Sequence, residues 1–259
     1  MRPVADLFDL RGRVAVVTGA TKGIGRAVVE GLAGAGASVV VSSRKQELCD
    51  AVAAEVTAAT GQEAVGLACH VGEWDAIPAF VERVGERFGG VDVLVNNAGI
   101  NPAPTPLADL TFEYWRKLQS VNLEGPLRLS TLLAPGMRDR GGGSIINVSS
   151  MGAYIGGWGN GAYAASKAGL IVLTKVMATE WADWKVRVNA ISPGPFVSEM
   201  MLGAERVRPG MLDRSAAATM LGRVADPGEI VGAAVYLASD ASSFVTGEDH
   251  VVSGGMLRG

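Results

Sequence analysis

Short apolar runs alternate with helix-like segments from one end of the 259-residue chain to the other, and this alternation limits the architecture more than any other feature. The runs Val14–Thr18, Ser38–Ser43, Ala64–Val71, Val91–Asn96, Ser144–Ser149, Val186–Ser192 and His250–Ser253 read as strands. Most are continuously apolar rather than alternating, the pattern of a strand covered on both faces in a parallel sheet. Between them, Ile24–Gly34, Lys45–Thr60, Trp74–Phe88, Thr111–Arg138 and Ala162–Ala182 carry helical spacing and good helix formers. A last helix is expected over Pro227–Ser239, with Asp226 as its cap and Pro227 in the first helical position. The prediction is one doubly wound α/β domain of Rossmann type over residues 1–259, a parallel sheet with helices on both faces.

The balance of residues narrows the function. A net charge of −3 offers no electrostatic footprint for nucleic acid or an anionic membrane. No apolar run reaches the length of a spanning helix. Met1–Arg13 has no signal-peptide core, so a cytoplasmic location is expected. Cys49 and Cys69 read as buried, reduced thiols. His70 and His250 are too scattered for a metal site, and Cys69 beside His70 on a strand would face the opposite way. No metal is expected.

The first strand runs into Thr18-Gly19-Ala20-Thr21-Lys22-Gly23-Ile24-Gly25, which opens a helix. Gly19 suits a sharp turn, Gly23 a close approach to a pyrophosphate, and Gly25 tight packing of helix on strand. Farther on, Tyr163 and Lys167 lie four residues apart on one helical face, with Ser150 thirteen residues upstream at a strand end. An ammonium beside a phenol favours the phenolate and draws the Tyr pKa toward the working range. Tyr154 is nearer to Ser150, but Trp158 stands where its lysine would be.

With Asn96-Asn97-Ala98-Gly99, Asn122 and Pro193-Gly194, these motifs resemble, in order and over nearly the whole chain, those of the classical short-chain dehydrogenases/reductases. The resemblance implies hydride transfer between a nicotinamide cofactor and a carbonyl or secondary alcohol. In it Ser150 would bind the substrate oxygen and Tyr163 would act as acid/base. Lys167 would hold the nicotinamide ribose, and Asn122 a water linking Lys167 to solvent. The glycine loop, Asn96, Ala98 and Gly99 would line the cofactor groove, and Pro193, Gly194, Val197 and Ser198 would meet the carboxamide. At the end of the second strand, Ser43-Arg44 carries no carboxylate, and Arg44 with Lys22 would suit a 2′-phosphate, favouring NADP(H) over NAD(H). Two positions depart from the family pattern: His70 before Val71, where Asp commonly meets the adenine, and Ser253, where Asp commonly precedes Gly-Gly.

A substrate loop is expected at about 193–220, where Met200, Met201, Leu202, Met211, Leu212 and Met220 alternate with Arg206, Arg208 and Arg214; it reads equally as a mobile apolar lid or as plain helix packing. Ile100–Pro104 and Met151–Trp158 would complete the pocket. Competing readings are a reductase of 3-oxoacyl groups on a carrier protein or coenzyme A, and a nucleotide-binding regulator without catalysis. The helices Thr111–Arg138 and Ala162–Ala182, with 244–259, match the family's interface segments and imply a homo-oligomer, a tetramer.

Overall fold

The computed structural model describes residues 2–207 and 209–256. Arg208 and the last three residues of the expected 244–259 interface segment lie outside them. Seven strands form one fully parallel sheet: β1 (Val14–Thr18), β2 (Ser38–Ser42), β3 (Ala64–Gly66), β4 (Val93–Asn96), β5 (Gly143–Val148), β6 (Val186–Pro193) and β7 (Asp249–Val252). Their order is β3-β2-β1-β4-β5-β6-β7. The chain winds outward from β1 to β3, crosses back, and winds outward again from β4. The switch point between β1 and β4 therefore opens a crevice at the carboxyl ends of these strands.

The strands β1, β2, β4, β5 and β6 bury both faces. Val17, Val39, Val95 and Ile146 pack with α2 (Gly23–Gly34), α3 (Gln46–Thr60) and the later helix at Val231–Ala238, while Val16, Val40, Leu94 and Ile145 pack on the opposite side. There they meet α4 (Ile77–Phe88), the long helical stretch 112–139 and the helix Gly161–Glu180. Two cores on one sheet account for the unbroken apolar runs.

Several boundaries differ from the sequence expectation. The strand expected over Ala64–Val71 stops at Gly66, because β3 is the sheet's edge and pairs only with β2. Cys69 and His70 consequently lie in a loop and line one cavity, which removes the opposite-faces argument. The helix expected from Trp74 begins at Ile77: Pro78 has no N–H to return to a carbonyl four residues back, so it fits only the first turn.

The single helix expected over Thr111–Arg138 divides into α5 (Phe112–Gln119), a π-helical turn at Ser120–Glu124, and α6 (Gly125–Asp139). Pro126 cannot donate to the carbonyl of Asn122, and the wider turn falls at this point. Next come α7 (Gly161–Glu180) and, in the expected substrate loop, two short helices, α8 (Glu199–Val207) and α9 (Met211–Ala217). The expected helix Pro227–Ser239 starts as a 3-10 turn, Pro227–Ile230, under a capping box of Asp226 and Glu229, and continues as α10 (Val231–Ala238) once α1 (Val4–Leu7) is counted.

Candidate active site

The turn from β1 into α2 is set by two glycines. Gly19 has φ +64°, and a Cβ there would lie 2.9 Å from Ala98 Cα. A Cβ on Gly25 would collide with the Asn97 amide and the Gly19 carbonyl. The backbone therefore closes tightly, and the first N–H groups of α2 emerge without a side-chain cap. Gly23 faces open space, with Ser198 Cβ 3.9 Å from where its own Cβ would stand. The glycine loop and the 193–198 segment thus form two walls of one groove. Half-buried Thr21 and Ile24 flank the turn. Exposed Lys22 lies 3.9 Å from Glu199 Oε2 on α8.

Asn96 is not in that groove. It is buried, and its Nδ2 donates to Asn147 Oδ1 (2.9 Å) and Ser130 Oγ (3.1 Å). Strand alternation turns it into the core and brings Asn97 to the loop instead. Asn97 Nδ2 donates to the carbonyls of Thr18 (2.9 Å) and Gly19 (3.2 Å), while the backbone N–H groups of Asn97 and Ala98 both donate to Thr18 Oγ1 (3.1 Å). Asn97 and Thr18 hold the groove's shape. The doubled Asn signalled the segment but not which residue faces the loop.

Ser150, Tyr163 and Lys167 converge beside this groove. Ser150 ends the β5 stretch and accepts the Gly152 N–H at 3.0 Å. A Cβ on Gly152 would stand 3.2 Å from the Tyr163 ring and 3.3 Å from Ser150 Oγ, so the two side chains border that glycine. Loss of hydration pushes the Tyr163 pKa up, and the neighbouring Ser150 draws it down less strongly. Lys167 is buried and donates to the Val148 carbonyl at 2.7 Å. Burial lowers its pKa to about 8. A Cβ on Gly99 would stand 3.4 Å from Lys167 Nζ and 3.5 Å from Asn122 Oδ1, so both groups border that glycine.

Asn122 sits in the π-helical turn. Its Oδ1 accepts the Ile100 N–H (2.8 Å), and its Nδ2 donates to the Ile100 carbonyl (2.9 Å) and Ser166 Oγ (3.2 Å). Its amide pins the Ile100 segment. Tyr154 is held elsewhere: its hydroxyl bonds the Asp249 carboxylate, and burial and that charge push its pKa up to about 12.

On the far wall, buried Pro193 ends β6, and Gly194 N–H donates to Val252 at 2.9 Å. Exposed Val197 donates its N–H to Ala225 (2.9 Å), and Ser198 Oγ accepts the Met201 N–H at 3.2 Å, capping α8. Ser253 accepts the Met256 N–H at 3.2 Å, a turn bond made by hydroxyl where the family pattern has carboxylate. Ser43, Arg44, His70 and Val71 lie around the ends of β2 and β3. Ser43 is half-buried, Arg44 exposed and Val71 buried. Among the described residues, no group of three His, Cys, Asp or Glu side chains could hold a metal, and no helix is long and apolar enough to cross a membrane.

The family model described as enoyl-(acyl carrier protein) reductase matches residues 19–257, from the first glycine of the loop to beyond Ser253. A 2-dehydro-3-deoxy-D-gluconate 5-dehydrogenase of Formosa agariphila is 37% identical over 257 residues, covering 97% of this chain and 95% of its own. The chain belongs to the short-chain dehydrogenases/reductases. Dehydrogenase/reductase SDR family member 4 of Sus scrofa is 38% identical over 248 residues, covering 95% of this chain and 88% of its own. The crystal structure of a gluconate 5-dehydrogenase from Burkholderia cenocepacia, in complex with NADP and tartrate, superimposes with a TM-score of 0.93 at 35% identity, over 98% of each chain. As a member of this family, the protein is an oxidoreductase that transfers hydride between a nicotinamide cofactor and a carbonyl or secondary alcohol.

Proposed function

We propose that Tyr163 is the acid/base of this reaction, that Ser150 orients the substrate oxygen, and that the enzyme prefers NADP(H). The observation that carries the reading is the convergence of three side chains: Ser150 and Tyr163 side by side at Gly152, and Lys167 buried beside Gly99. The uncapped N–H groups of α2, the open space at Gly23 and the wall at Ser198 fit a dinucleotide. Bound in that groove, the cofactor supplies or accepts the hydride.

The chain's own residues manage the proton. In reduction, the Tyr163 Oη–H gives its proton to the oxygen of the former carbonyl, while the Ser150 hydroxyl donates a hydrogen bond to the same oxygen. In oxidation, Tyr163 must start as phenolate, against the burial that raises its pKa. A positive charge beside it offsets that burial. Lys167 keeps two ammonium N–H groups after its bond to Val148, enough to hold a ribose diol. Asn122 supports this arrangement by fixing Ile100, and holding a water beside Lys167 remains its proposed second task.

The adenosine end favours NADP(H): no carboxylate stands at Ser42-Ser43-Arg44, and Arg44 is exposed there. The substrate pocket is assigned to 100–104, 151–158 and the α8–α9 segment. Exposed Tyr154, Ile155, Trp158, Met220 and Leu221 give these segments apolar surface. The names of the relatives add sugar acids to the substrates worth testing, beside 3-oxoacyl thioesters and apolar ketones. Both buried cysteines are free, which suits the cytoplasm.

The test is Tyr163→Phe, assayed over that panel with both cofactors. Turnover is expected to fall roughly 10²–10⁴-fold with cofactor affinity kept, because the ring survives and only the proton donor is lost. Turnover near wild type in the Phe variant would refute the assignment. A wild type that binds cofactor but turns over no substrate would favour a regulator.

A further inference from the structure

The segment that follows Ser150 is tied down at its two ends. Its first residues close a 3-10 turn at Met151–Ala153, and the Ile155 N–H donates to the Met151 carbonyl at 3.2 Å. At the far end the Gly159 carbonyl accepts the Thr105 N–H at 2.8 Å, and Asn160 Oδ1 accepts from Asn101 Nδ2 at 2.9 Å. Between these ties stand Gly156, Gly157 and exposed Trp158. Two adjacent glycines lose much conformational freedom when ordered, so the stretch holds one position only if a side chain fixes it.

The fixed point is Tyr154. Its hydroxyl donates to Oδ2 of Asp249 on β7. Burial, with the bond and charge of Asp249, pushes the Tyr154 pKa up to about 12, so the phenol stays a donor at neutral pH. Ser192 Oγ donates to the same carboxylate oxygen at 2.7 Å. Ser192 is buried on β6, directly before Pro193 and the wall assigned to the carboxamide. One oxygen thus joins the substrate side of the site to the cofactor side. Asp249 Oδ1 is buried and has no partner among the described residues. A polar atom left in that condition costs stability, so what accounts for the carboxylate is what it holds in place.

We propose that Asp249 is a positioning residue for substrate: by gathering Tyr154 and Ser192 on one oxygen, it holds the 151–158 wall of the pocket against the cofactor wall. It touches no reacting atom and acts through Tyr154. The proposal rests on the assignment of 151–158 to the substrate pocket. The anchor requires an acceptor rather than a charge, so asparagine serves at this position and alanine does not.

Hydrogen exchange of the full chain, read by mass spectrometry on peptides spanning 151–160, tests the anchor without any substrate. Asp249→Ala and Tyr154→Phe are each expected to speed exchange there roughly tenfold, the scale of one hydrogen bond to a charged group. The double variant should exchange no faster than either single one, and Asp249→Asn should match wild type. Steady-state kinetics then use whichever sugar acid, 3-oxoacyl thioester or apolar ketone wild type turns over fastest. KM should rise roughly tenfold in Asp249→Ala and Tyr154→Phe with kcat within about twofold, because Ser150, Tyr163 and Lys167 keep their places. Asp249→Asn should restore KM. Exchange at the wild-type rate in both variants refutes the anchor while the pocket assignment stands. Faster exchange with unchanged KM shows that 151–158 does not face substrate, and overturns the pocket assignment together with the positioning role. Exchange raised over the whole chain alike, or a KM that asparagine leaves as high as alanine does, also refutes the proposal.

Discussion

Replacing Lys167 with Met should change the pH dependence of stability by an amount the structure sets. Lys167 is buried, and its pKa falls from 10.5 to about 8 through loss of hydration. In the unfolded chain the ammonium regains its ordinary pKa, so below pH 8 the folded state bears the full cost of a buried charge. As pH rises through 8 the folded lysine releases its proton and the cost declines; above 10.5 both states are neutral and it vanishes. Between pH 7 and pH 10 the stability of wild type relative to Lys167→Met should therefore rise by about 2–3 kcal/mol, at 1.36 kcal/mol per pKa unit. The lost bond to Val148 and the packing of the Met side chain shift the difference between the proteins at both pH values alike. They drop out when the two differences are subtracted. Urea unfolding of both proteins at equal concentration, at pH 7 and pH 10, gives the four free energies required. A wild-type-minus-variant difference that stays constant across that interval would refute a lysine held charged against its burial. The variant should also lose activity and cofactor affinity, so any stability it gains at neutral pH measures what the site gives up for function.

Two further outcomes are expected. Ser43→Asp should reverse or erase a preference for NADPH over NADH in calorimetric titration, because a carboxylate there repels a 2′-phosphate; a wild type that binds NADH more tightly would overturn the preference itself. Exposed Phe112 on α5 and Val172 and Val176 on α7 form apolar surface on the helices expected to meet a second copy, so light scattering should find a homotetramer, and Val176→Glu a smaller species. A wild-type monomer at micromolar concentration would count against that assembly.

The sequence by itself determined what local patterning can encode. Strand–helix alternation specified the doubly wound class, since a strand apolar on both faces has to be covered twice. The glycine spacing after Thr18 and the four-residue spacing of Tyr163 and Lys167 encode a turn and a shared helix face, and both are present in the structure. The cap at Asp226 was legible for the same reason: Pro227 follows it directly in the first helical position.

What only the tertiary structure decided depends on partners far along the chain. The third strand ends early because it has one neighbour, a fact of sheet order that its apolar run does not contain. Asn96 and Asn97 are indistinguishable as a pair in sequence; Asn147 and Ser130 claim one for the core, and the Gly19 turn claims the other for the groove. Tyr163 was expected to have its pKa lowered by Lys167 together with the positive nicotinamide of an oxidised cofactor; in the protein alone, loss of hydration raises the Tyr163 pKa and lowers that of Lys167 to about 8.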